Sequence, residues 1–179
     1  AAWREVGGET RRVVAPTVAA LAIAWLVTLL AAPLLPAAAA AVTYAAGSLL
    51  CHQLPDRSFH LGAYQLPVCA RCLGIYAGSA AGCATAVVAA RLGGPSAGRV
   101  GADPRRAALL TVLALLPTAM TVTLEWAGAW YPSNPTRALA GAPAGLVVAF
   151  VVTRALPTVH YGEWVPRRPT APSPPRSST

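Results

Sequence analysis

The sequence predicts an all-α membrane protein of four transmembrane helices plus a short interfacial or re-entrant helix. Three observations carry that expectation. The 179 residues are 55% hydrophobic and only 11% charged, against about 25% charged in soluble domains. Four apolar runs recur along the chain, each close to the roughly 20 residues a helix needs to cross the hydrocarbon core. The residues with chemistry to offer are gathered in one stretch, 51–78, which holds three of the four cysteines and two of the three histidines.

Residues 1–12 are polar and carry Arg4, Arg11 and Arg12, as a cytoplasmic N-terminal tail would. Residues 13–35 form the first apolar run. A secretory signal is the competing reading, but this run exceeds the roughly 7–15 residues of a signal core, so a retained helix is expected. Pro33 and Pro36 stop it, and the apolar segment 37–50 is too short to cross alone. Residues 51–66, with Pro55 and Gly62, read as a structured loop. Pro67 suits a first helical turn, where a missing N–H costs nothing, and the second span then runs to Arg91. Within it Gly74, Gly78 and Gly82 recur every four residues, a pattern that admits another helix backbone at close range.

Residues 92–106 read as a Gly/Pro/Arg loop. Asp103-Pro104 is a good cap and first-turn pair for a third span through Gly128, with a kink at Pro117. Trp126, Trp130 and Tyr131 follow it as an aromatic belt at the membrane interface. Asn134-Pro135 repeats the cap logic for a fourth span over residues 136–156, where Gly141 and Gly145 give a small-residue face. Residues 157–179, rich in Pro, Ser, Thr and Arg, are expected to be a disordered cytoplasmic tail after a membrane domain of residues 13–156.

The net charge is +8, and all 14 basic residues are arginines. They sit at the ends of apolar segments, not on one face of a polar domain, so the charge speaks of topology and not of nucleic acid. With both termini and the 91–106 loop cytoplasmic, eleven arginines face that side and only Arg57, Arg71 and Arg137 face out. That asymmetry fits the positive-inside rule and predicts a multi-pass protein of the cell membrane. It also brings Cys51, His52, Arg57, His60, Cys69, Arg71, Cys72, Glu125, Asn134 and Arg137 to the external face, and ionisable groups beside membrane helices are usually functional.

Cys69 and Cys72 stand three apart at a helix start, where the helix N-terminus and Arg71 favour thiolate. Cys51, Cys69 and Cys72 with His52 or His60 would complete a Cys₃His set, a common zinc arrangement. His60 is then the fourth ligand, or His52 serves as a base. The same CxxC pair beside a third thiol also suits thiol–disulfide exchange, and a plain disulfide stapling the loop is the third reading. Cys83, deep in the second span, reads as a buried small hydrophobe. Glu125, Arg71 and Arg137 are expected to cluster beside the thiols. They offer a carboxylate for proton transfer and two cations for an anionic lipid or small-molecule substrate, so with His52 they are the candidate catalytic residues. An ion pair that merely clamps helices is the plainer alternative.

Cys51-His52-Gln53-x-x-x-Arg57-Ser58-Phe59 followed by Gln65-x-Pro67-x-Cys69-Ala-Arg71-Cys72-x-Gly74-Ile-Tyr76-x-Gly78 resembles the signature of a family of small prokaryotic multi-pass membrane proteins known as a domain of unknown function. The resemblance covers roughly residues 45–150. It extends to an acidic residue late in the third span, here Glu125 where the family has Asp, and to Asn134 and Arg137 before the last span. It implies membrane location and a shared site, and it supplies no reaction.

Overall fold

Long apolar runs punctuated by proline and glycine become helices, with a small polar cap after the first span. The computed structural model describes residues 2–92 and 103–155, with side chains from residue 13 onward in those ranges. Its elements are α1 (Ala2–Ala31), α2 (Ala37–Ser48), β1 (Ser58–Leu61), β2 (Tyr64–Cys69), α3 (Ala70–Arg91), α4 (Pro104–Trp126) and α5 (Asn134–Ala155). Among the described residues, four segments are long and apolar enough to cross a membrane: Val13–Leu34, Ala70–Arg91, Pro104–Trp126 and Asn134–Ala155. These are the four expected spans. The backbone of α1 starts at Ala2, so helix continues through residues read above as a tail. The segment 157–179 and most of the 92–106 loop lie outside the described residues.

The bundle is organised on α3 and α5. A Cβ placed on Gly78 would lie 2.0 Å from the Ala142 carbonyl oxygen, and one on Gly145 would lie 2.0 Å from that of Ile75. The two backbones therefore touch, as the glycine spacing on both helices predicts. Cys83 is buried in this region and accepts a hydrogen bond from the Thr153 hydroxyl (3.4 Å). Helix α4 joins α5 through Thr118, whose hydroxyl donates to the Ala140 carbonyl at 2.7 Å. Leu109, Leu113 and Leu116 stand exposed on α4, as suits a helix surrounded by hydrocarbon.

Asp103 caps α4 as expected, accepting from the backbone N–H groups of Arg105 (3.0 Å) and Arg106 (3.4 Å). Two other boundaries differ. Helix α5 begins at Asn134, because Ser133 takes the capping place: its carbonyl receives the Arg137 N–H and its hydroxyl the Thr136 N–H. That leaves the Asn134 side chain free for other work. The larger departure is at Pro67, which lies in strand β2 and not in the first turn of α3. The loop 51–66 is in fact a short 3-10 turn (Pro55–Arg57) and an antiparallel hairpin pairing Ser58 with Cys69, His60 with Gln65 and Leu61 with Tyr64. Gly62, at φ +61°, supplies the turn. Proline fits a two-stranded ribbon, where each strand has a free edge and a missing N–H is tolerated.

Candidate functional site

The thiol group is built where the hairpin meets α3. Cys51 follows α2, its N–H donating to the Gly47 carbonyl at 3.0 Å. Cys69 closes β2 and is the N-cap of α3, with extended backbone at φ −67°, ψ 159°. Cys72 stands on the first turn of that helix. The three sulfurs lie within 4.8 Å of one another, and the Cys69 N–H donates to Cys51 Sγ at 3.1 Å. All are free thiols. A hydrogen bond from Cys72, working against burial, pulls the Cys69 thiol down to about 5. Leu29 and Val68 wall the group, with Trp25, Leu73 and Tyr76 packed on them. The Trp25 and Tyr76 rings meet edge to face at 6.1 Å. Sulfurs on a tetrahedral zinc ion are about 3.8 Å apart, from a Zn–S bond of about 2.3 Å, so the trio needs only side-chain adjustment to take one.

A set of side-chain hydrogen bonds holds the hairpin over α2. Gln53 sits at φ +52°, a left-handed conformation uncommon for a residue with a side chain. Its side-chain N–H₂ donates to the carbonyls of Tyr44 (2.8 Å) and Pro67 (2.7 Å). Its own carbonyl accepts from the Gln65 amide at 2.6 Å, and that amide also reaches Ser58 Oγ at 3.2 Å. The Tyr44 hydroxyl donates to the Gln65 carbonyl. The strained backbone is thus over-determined by its surroundings.

The charged group lies one step further along the same end of the bundle. Glu125, in the last turn of α4, is 6% exposed. Arg137 donates to its Oε1 at 2.7 Å and Arg71 to its Oε2 at 3.1 Å. Arg57 Nε lies 3.3 Å from Oε1 as an ion pair. Arg137 also donates to Asn134 Oδ1 at 3.0 Å, and the Asn134 amide donates to the Ser58 carbonyl at 2.9 Å. Arg71, between Cys69 and Cys72 in sequence, ties the two groups to one helical turn.

The structure thus brings Cys51, Cys69 and Cys72 together, and Glu125, Arg71 and Arg137 together. His52 and His60 do not join the thiols: among the described residues the sulfur group contains cysteines alone, and both imidazoles are exposed. The register irregularity between Ser58 and His60 breaks the alternation of faces, so Ser58 is buried and His60 is not. The fourth place in the expected Cys₃His set is therefore not filled by histidine here. Sequence reasoning missed Arg57 as a partner of Glu125, the packing of Trp25 from α1 against the thiols, and the bracing role of Gln53 and Gln65. The two glutamines were visible as isolated amides in a chain with few polar side chains.

The family model described as "Predicted membrane protein (DUF2085)" matches residues 51–151. The chain belongs to this family. The DUF2085 match opens on Cys51 and takes in both the thiols and the arginines, while α1 and α2 precede it. The Uncharacterized protein MJ1492 of Methanocaldococcus jannaschii is 34% identical over 109 residues, which is 61% of this chain. That stretch covers 65% of the relative, so the chain spans just under two thirds of its length. No solved structure matches the chain.

Proposed function

We propose that this DUF2085 protein binds a divalent metal ion, zinc, through the thiolates of Cys51, Cys69 and Cys72 at the external membrane face. The observation that carries the reading is the closeness of three sulfurs, from the turn after α2, the end of β2 and the start of α3, within 4.8 Å. Thiolates are soft ligands suited to zinc, and Cys69, lowered to about 5, is ready to ligate at neutral pH. Three protein ligands leave a tetrahedral ion one place for a group from outside the trio, the pattern of zinc sites that act on something. The external placement rests on the arginine asymmetry; a reporter fused after residue 100 should behave as cytoplasmic, and an external signal there would reverse the orientation.

Elemental analysis of the purified chain tests the metal. We expect one zinc per chain, and thiols that react with a titrant only after chelation. Protein prepared without chelators that carries no stoichiometric metal would end this reading. A second reading, thiol–disulfide exchange, is supported by the Cys72 hydrogen bond that keeps Cys69 as thiolate. A metal-free Cys69–Cys72 pair that gains and loses a disulfide under mild reductant would put it first.

A further inference from the structure

Three guanidinium groups converge on one carboxylate, and their needs exceed what it can supply. Each guanidinium has five N–H donors and no acceptor. Arg71 spends one group on Glu125 and Thr121, and Arg137 is shared between Glu125 and Asn134. The Nε atoms of Arg57, Arg71 and Arg137 remain buried without a hydrogen-bond partner among the described residues. Arg137 is only 6% exposed, so water at the surface does not offset the loss. Charge is in the same surplus: three cations face Glu125, and among the described residues the exposed Asp56, 3.7 Å from Arg57, is the one other carboxylate paired with them. Three cations thus share one buried carboxylate, and burying charge in excess of its counter-charge is costly, so the cluster has charge and donors left over for an anion.

We infer that Arg57, Arg71 and Arg137 form a binding site for a phosphate group, with Glu125 fixing the three guanidiniums in place. A phosphate carries several acceptor oxygens around one centre and matches the planar fork of arginine. The cluster sits at the end of α4 beside Trp126, Trp130 and Tyr131, all exposed, and such aromatic residues mark headgroup depth. The phosphate belongs either to an anionic lipid or to a free phosphate compound. The arginines alone carry the inference, which holds whether or not the thiols bind metal.

The test uses the full chain in nanodiscs, with its thermal midpoint followed against inorganic phosphate at constant ionic strength and against chloride as control. Discs of phosphatidylcholine are compared with discs containing phosphatidylglycerol. Saturable stabilisation by phosphate in phosphatidylcholine identifies a free phosphate ligand. Stabilisation by phosphatidylglycerol without added phosphate identifies a lipid headgroup. In either case Arg57→Gln should raise the half-saturating concentration about tenfold or more, the scale of one charged hydrogen bond. Arg57 makes no hydrogen bond to Glu125, so this variant is chosen to spare the fold. Arg71→Lys, which keeps charge and loses the fork, carries the same test if Arg57→Gln fails to insert. Equal effects of phosphate, phosphatidylglycerol and chloride, or unchanged affinity in the variants, overturn the inference.

Discussion

The thiol trio and the arginine trio occupy the same end of the bundle but are held in opposite ways. The thiols come from the turn after α2, the end of β2 and the first turn of α3, and their geometry is set by backbone: a strand end, a helix N-cap and one N–H to sulfur bond. The arginines come from a 3-10 turn, α3 and α5, and what gathers them is a single carboxylate on α4. One group is therefore a product of local chain geometry. The other is a product of helix packing, and it fails if any one helix shifts. Arg71 and the Asn134 to Ser58 bond are the points where the two meet.

Breaking the support common to both should have the largest effect. Gly78→Leu would drive a side chain into the Ala142 carbonyl, already 2.0 Å from a bare Cβ. We predict loss of the folded bundle, seen as aggregation on size-exclusion chromatography; a monodisperse variant with normal thiol protection would show that the seam is not what supports the site. Next comes Cys72→Ser, which should remove zinc to below about one part in a hundred of wild-type occupancy, since a lost thiolate breaks the ligand set. The fold should persist, because the arginine cluster does not depend on that sulfur. Retained stoichiometric metal would move the site elsewhere.

Glu125→Gln separates the groups from the other side. Removing the carboxylate leaves buried guanidiniums facing each other, at a cost of about 3–5 kcal/mol, read as a lowered thermal midpoint. Zinc content should stay at one per chain. A variant as stable as wild type would mean that the arginines are satisfied by something other than Glu125. The smallest effect concerns pH. In metal-free protein the Cys69 thiol, lowered from about 9 to about 5, is deprotonated above that point and protonated below it. Its alkylation rate should therefore be level through neutral pH and fall as pH drops through about 5. A rate that rises through pH 9 would show an ordinary thiol.

Much of this was legible in the residues because membrane burial leaves few choices. The four spans follow from apolar length, and the α3–α5 contact from glycine spacing on both helices. Glu125, Arg71 and Arg137 were brought together by topology alone, since alternate spans present their ends to the same side. What could not be read was local. Pro67 is compatible with a helix start and with a free strand edge, and only the pairing of Ser58 with Cys69 decides between them. The bulge that turns His60 outward leaves no mark in composition. Arg57 looked like a loop cation because its partner lies in α4, far away in the chain.

The two groups also differ in when they can exist. Cys69 reaches Cys51 across 18 residues, whereas Arg71 reaches Glu125 across 54 and Asn134 reaches Ser58 across 76. Contacts between near neighbours in sequence close early and cheaply, and distant ones wait for the rest of the chain. During synthesis the thiols should thus be assembled while Glu125 is still to be made. A metal ion captured at that moment would fasten the hairpin first and leave the arginines to be matched last. Pulse labelling of nascent chains should find Cys51 and Cys69 shielded before α4 enters the membrane; thiols that stay reactive until the chain is complete would mean that the distant helices close the hairpin and not the reverse.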